Sequence, residues 1–144
     1  MIESRTAPYA ALLLRVTLGV LFLVHWSLKM FVFTPAGTAG FFVSLGLPAA
    51  LAYLTLAVEC VVGVSLILGV QTRFASLAGA VVLLGAIVTV HAANGFFFTA
   101  PNGGWEYPAF WIVALIVQAM LGDGAFAAGA VMSGTTRRPA MVAG

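Results

Sequence analysis

From Phe74 to Ala93, twenty consecutive residues carry no Asp, Glu, Lys or Arg. An α-helix needs about 20 apolar residues to cross the hydrocarbon of a bilayer, so this stretch is long enough to span and too apolar to sit in water. Three further apolar stretches surround it, at about 8–33, 49–69 and 106–122, interrupted only by single polar residues. Of the 144 residues, 7% are charged and 62% hydrophobic, against about 25% charged in soluble domains. The expected fold is therefore an all-α membrane protein. It is a single domain over 1–144, a bundle of four transmembrane helices at about 8–33, 49–69, 73–93 and 106–122. Arg5 ahead of an apolar core resembles a signal peptide. The run is too long for one, and no small-x-small cleavage site precedes Lys29, so a retained first helix is expected.

The connections carry their own signals. Between the first two spans, Pro35, Gly37, Gly40, Gly46 and Pro48 break any crossing, while Phe41, Phe42, Val43, Leu45 and Leu47 suit a short helix lying in the interface. The turn Gly69-Val70-Gln71-Thr72 only reverses direction, so the second and third spans pack antiparallel. The loop at 95–108 is again rich in Gly, Pro and aromatics, and Pro108 falls in the first turn of the fourth span. That span is short, which points to a thinned bilayer or an end held by protein. Beyond about 125 the chain is small and polar, and a disordered tail is expected. Arg5, Arg15, Arg73, Arg137 and Arg138 fall on one side and Lys29 alone on the other. By the positive-inside rule both termini lie in the cytoplasm and the aromatic loops face outward.

The few cations form no basic stripe, so nucleic acid is not an expected partner. Cys60 is the single cysteine, which excludes an internal disulfide or a thiolate metal cage. Each hairpin places a His near an outer helix end and then Gly-Phe-Phe: His25 before Gly40-Phe41-Phe42, His91 before Gly95-Phe96-Phe97. Such spacing suits a parallel repeat.

A charge inside a span costs about 2.5–3.5 kcal/mol at the helix centre and by default faces the bundle. Glu59 lies ten residues from either end of the second span, too deep to reach water. It is protonated, paired, or beside a water-filled pocket, or else it fixes packing with the small residues Ala52, Thr55 and Gly63. Arg15 either snorkels to the near interface or reaches toward Glu59. It begins a stripe of Arg15, Gly19, Phe22, Trp26 and Lys29 that puts both cations on one inward helical face.

Toward the outer surface, His25, Lys29, His91, Asn94, Glu106 and Tyr107 fall at similar depths. Such a set suits a quinone, whose carbonyl oxygens take hydrogen bonds from imidazole, amide or phenol while a carboxylate or His moves protons. Glu59 and His91 are the expected catalytic pair, and Arg15, His25, Lys29, His91, Asn94, Glu106 and Tyr107 the ligand-binding set. Trp105 and Tyr107 also suit a plain interfacial belt. Two His on different helices would fit a b-type haem, and His25, His91 and Glu106 a non-haem metal, but neither has diagnostic spacing. No built-in cofactor or metal is expected.

The strings LLLRVTLGVLFLVHWSLKMF, GTAGFFVSLGLP, AYLTLAVECVVGVSLILGVQTR, TVHAANGFF and NGGWEYP, in order from Leu12 to Leu121, resemble the DoxX family of small four-helix bacterial membrane proteins. The matching positions include Arg15, Gly19, His25, Lys29, Glu59, Gly63, Arg73, His91, Asn94, Glu106 and Tyr107. The resemblance implies a quinone-linked redox setting. The expectation is an inner (plasma) membrane subunit of an oxidoreductase system, bound to a quinone or similar lipophilic ligand, with a soluble redox partner and room for a homo-oligomer. Two alternatives stay open: a non-catalytic anchor or assembly factor for soluble redox enzymes, and a small proton-coupled transporter using Glu59.

Overall fold

The computed structural model describes residues 4–129. Within them the secondary structure is helical and contains no strand. The elements are α1 (Ala7–Ser27), α2 (Pro35–Ser44), α3 (Ala49–Leu68), α4 (Thr72–Ala86) and α5 (Glu106–Leu121). Five-residue π-helical turns extend α1 over Leu28–Val32 and α4 over Ile87–His91, and a single 3-10 turn, Ala92–Asn94, follows the second. With these extensions Ala7–Val32, Ala49–Leu68 and Thr72–Asn94 are long and apolar enough to cross a membrane. The chain is a multi-pass membrane protein by this measure. Helix α5, at 16 residues, measures about 24 Å.

The long helices close into a ring: α1 packs along α3, α3 against α4, α4 along α5, and α5 back against α1. The short helix expected in this connection is present as α2, which lies against α3. Thr34 starts it, its Oγ1 accepting the N–H of Gly37 at 3.1 Å, from a backbone φ of 62° that a β-branched residue rarely adopts. One end of the bundle gathers the start of α1, the α3–α4 turn and the end of α5, and is called the terminal end below. The opposite, loop end carries α2 and the 95–105 loop.

Helices α1 and α3 meet without a hydrophobic force to drive them together in lipid, so their contact rests on close approach. A Cβ added at Gly19 would sit 2.8 Å from the carbonyl oxygen of Gly63, and one at Gly63 would sit 2.7 Å from Leu23. Phe22 fills the middle of the bundle. A Cβ on Gly79 of α4 would lie 2.7 Å from its ring and 3.3 Å from Val62 of α3, and the ring centroid is 4.9 Å from that of Trp111 on α5. Leu18, Leu66, Leu83 and Leu115 complete this apolar layer.

The short α5 is held at both ends by protein. Trp105 N–H donates to Gly95 O at 3.1 Å and Glu106 N–H to Phe96 O at 2.9 Å. A side chain at Gly104 would collide with the carbonyl oxygens of Gly95, Phe96 and Phe97, so glycine is required there. Beyond α5 the chain does not lose order at 125 as expected. Ala125 N–H donates to Pro8 O at 2.9 Å and Gly129 N–H to Gly69 O at 3.1 Å, which fastens 125–129 across the terminal end. The rest of the expected tail, with Arg137 and Arg138, lies outside the described residues.

Candidate functional site

The inward stripe on α1 is present, and its two cations end in different surroundings. Arg15 neither snorkels nor meets Glu59. The last turn of α3 leaves carbonyls without helical partners; Gly69, in the left-handed region at φ 70°, reverses the chain, and Val70 N–H returns to Ser65 O at 3.0 Å. Arg15 binds the same turn: Nη1 donates to Leu66 O at 2.9 Å, which also accepts Gly69 N–H at 3.3 Å, and to Ile67 O, and Nη2 donates to Ala125 O at 3.0 Å. It is 1% exposed.

The partner of Glu59 is Lys29. Its Nζ lies 2.6 and 2.9 Å from the two carboxylate oxygens, with side-chain exposures of 25% for Lys29 and 6% for Glu59. The π-turn that carries Lys29 sits at the loop end of α1, and the four-carbon stem reaches down to the middle of α3. Two of the three ammonium hydrogens face Glu59, leaving one donor for another acceptor.

One turn before Lys29, His25 Nδ1 lies 2.9 Å from Leu21 O. A carbonyl only accepts, so Nδ1 carries the hydrogen and the neutral ring keeps a lone pair on Nε2. The imidazole lies against Trp111, centroids 5.1 Å apart, and Trp111 also meets Tyr107 at 5.6 Å. Trp111 is 4% exposed, and its indole N–H has no acceptor among the described residues. Sequence reasoning passed over Trp111 because an aromatic in an apolar span reads as lipid-facing or core.

The other candidates gather on the 95–105 loop. His91 Nδ1–H donates to Gly103 O at 2.9 Å. Asn94 Nδ2 donates to the same oxygen at 3.1 Å and to Val90 O at 3.2 Å and Asn102 O at 3.3 Å. Glu106 Oε2 accepts the N–H of Phe98 at 3.1 Å. So Lys29 pairs with Glu59 and, one turn earlier on α1, half-buried His25 lies against Trp111 of the apolar layer, whereas His91, Asn94 and Glu106 hold loop backbone. Arg15 stands at the opposite end. Among the described residues no group of three His, Cys, Asp or Glu side chains comes together in a way that could hold a metal ion, so His25, His91 and Glu106 do not form one.

A ring of apolar helices around an internal ion pair, with an aromatic loop at one end, defines a small multi-pass membrane protein with a polar site in its core. The DoxX family model matches residues 10–92, which include Arg15, His25, Lys29, Glu59 and His91. A Bacillus subtilis (strain 168) protein named "Putative oxidoreductase CatD" is 43% identical over 120 residues, covering 83% of this chain and 84% of that protein. No solved structure matches significantly. The chain belongs to the DoxX family.

Proposed function

We propose that this protein is the membrane subunit of a quinone-linked oxidoreductase system, crossing the inner membrane four times with both termini in the cytoplasm. The observation that carries the reading is the Lys29–Glu59 pair, an ion pair placed among apolar side chains and reached from the Lys29 side. An intramembrane charge pair marks function by default because its desolvation is costly. The relative named as an oxidoreductase supports the redox setting.

The residues fit a quinone head group. The spare Lys29 hydrogen and the unpartnered Trp111 N–H are donors for carbonyl oxygens, and His25 Nε2 is an acceptor for a hydroxyl. Bound there, a quinone supplies a two-electron, two-proton acceptor for electrons brought by a soluble partner. Lys29 orients one oxygen, the Glu59 carboxylate beside it relays a proton, and Phe22 and Trp111 exclude water from below. His91, Asn94 and Glu106 act by fixing the loop above the site.

That same use of three polar residues on loop backbone favours a second reading, in which the bundle only anchors soluble redox enzymes. Purification in mild detergent, solvent extraction and mass spectrometry separate the two. The quinone reading expects close to one quinone per chain, lost in Lys29→Met and in Trp111→Phe while both variants remain folded. A folded protein without quinone sinks it and leaves the anchor.

A further inference from the structure

The terminal end holds a second polar cluster that the proposed reaction does not use. Arg15 Nε, Thr72 Oγ1, Ser76 Oγ and Gln118 Oε1 are buried and have no hydrogen-bond partner among the described residues. Arg15 is 1% exposed, and Thr72, Ser76 and Gln118 are fully buried. These atoms belong to one region. Thr72 and Ser76 stand one turn apart on α4. Thr72 N–H donates to Asp123 Oδ1 at 3.3 Å, Gln118 Nε2 donates to Gly122 O at 2.8 Å, and Arg15 Nη2 donates to Ala125 O. Arg15, Thr72 and Gln118 are therefore tied to one short turn at 122–125, and Ser76 lies one helical turn from Thr72. A Cβ at Gly69, three residues before Thr72, would lie 2.8 Å from Arg15 Cζ.

Buried polar atoms in folded proteins nearly always have a partner, from protein or from ordered water, and four dry ones at one end of a bundle would be exceptional. The chemistry of the set selects the occupant. Arg15 Nε–H only donates, Gln118 Oε1 only accepts, and the two hydroxyls do both. An anion would leave Gln118 Oε1 facing negative charge with Asp123 close by. A cation would face the guanidinium. A lipid chain would satisfy none of the four. A small neutral molecule with donors and acceptors in equal number fits, and water is that molecule.

We propose that the terminal end of the bundle contains an internal water site, in which water bridges Arg15 Nε to Gln118 Oε1 by way of the Thr72 and Ser76 hydroxyls. The site stops at the apolar layer, because Phe22 touches Val62, Gly79 and Trp111 across the bundle. The apolar layer thus stands between this water and the Lys29–Glu59 pair. The water site itself stands whether or not a quinone binds.

The test uses the full chain in lipid bilayers with 15N-labelled arginine. Solid-state NMR is read for magnetisation transfer from water to the Arg15 Nε–H, and thermal stability is compared for the parent, Ser76→Ala and Thr72→Val/Ser76→Ala. The expected result is transfer in the parent, loss of transfer in the double variant, and a Tm lower by about 2–4 °C for each hydroxyl removed. Ser76→Ala alone keeps the test readable if the double variant does not fold. Absence of transfer in the parent overturns the proposal. So does a Tm that stays level or rises, because deleting a dry, unpartnered hydroxyl relieves its desolvation cost.

Discussion

Arg15 and Lys29 stand fourteen residues apart on one face of one helix, about 21 Å along its axis, and the bundle uses them oppositely. Arg15 is enclosed and bound by carbonyls of α3 and of the turn after α5. Lys29 is a quarter exposed and bound by one carboxylate. Backbone carbonyls neither take up a proton in the working range nor swing away. A carboxylate can do both. The guanidinium is a fastening between three segments, and the ammonium is half of an ion pair that the proposed function makes a site of changing charge. Two cations that look alike in sequence therefore separate into structure and chemistry, and each prediction below tests that separation.

The largest effect is expected from Arg15→Leu. Ile67 O and Ala125 O, both partly buried, would lose the Arg15 donor and Leu66 O would keep only Gly69 N–H, at up to about 1–3 kcal/mol for each carbonyl left without a donor, and the yield of folded protein should fall sharply. Arg15→Lys should recover only part, since a single ammonium cannot reproduce a planar fork that reaches two segments. Yield of monodisperse protein in detergent and its Tm measure both. Recovery of Arg15→Leu at parental yield would end the claim that this cation is a fastening.

Glu59→Gln comes next and acts on the other end. The amide keeps the size of the carboxylate, so the fold should survive, with Lys29 turning toward its exposed side. If the proposed function holds, loss of this proton relay lowers turnover by about 100-fold or more, measured as quinone reduction with a supplied electron donor. Unchanged turnover in a folded Glu59→Gln protein would move the pair into the same structural class as Arg15.

Gly19→Ala lies between the two ends and sharpens the comparison by touching both. Its methyl group would push against Gly63 O and Ile67, at about 1–3 kcal/mol for overpacking. Because α1 carries both cations, separation from α3 should lower the Tm and raise the quinone KM together. A Tm change with no KM change would show that the Lys29–Glu59 contact does not depend on the helix crossing.

The fold was legible because the lengths of charge-free runs and the Pro/Gly breaks are set by the bilayer, and these survive into the structure nearly residue for residue. The α1 stripe was legible for the same reason: its 3.6-residue period is local. What stayed hidden depends on pairs of elements. Counting rise per residue put Glu59 in the middle of its helix and Lys29 near an end, and nothing local says that a lysine on a π-turn reaches across to that carboxylate. Arg15 was unreadable because its partners are backbone carbonyls, which leave no mark in sequence. Thr72, Ser76 and Gln118 did carry a signal, polar side chains on apolar helices with two of them one turn apart, which in lipid points to the bundle interior. Residues 125–129 misled because small residues suit a close-packed return across the bundle as well as they suit a loose tail.

The smallest effect is expected from Asn94→Ala, and from His91→Ala slightly above it. Both side chains donate to Gly103 O from partly exposed positions, where a hydrogen bond contributes about 0.5–1.5 kcal/mol. If they serve only to hold the loop, amide exchange should quicken across 95–105 and nowhere in α1 or α3. On the proposed function the quinone KM should then rise a few-fold while kcat stays level, since a looser cover weakens binding without touching Glu59. A fall in kcat for His91→Ala comparable to that for Glu59→Gln would place this imidazole with the ion pair. The chemical half of the molecule would then extend from the end of α1 to the end of α4, and Arg15 would remain alone as its structural counterpart.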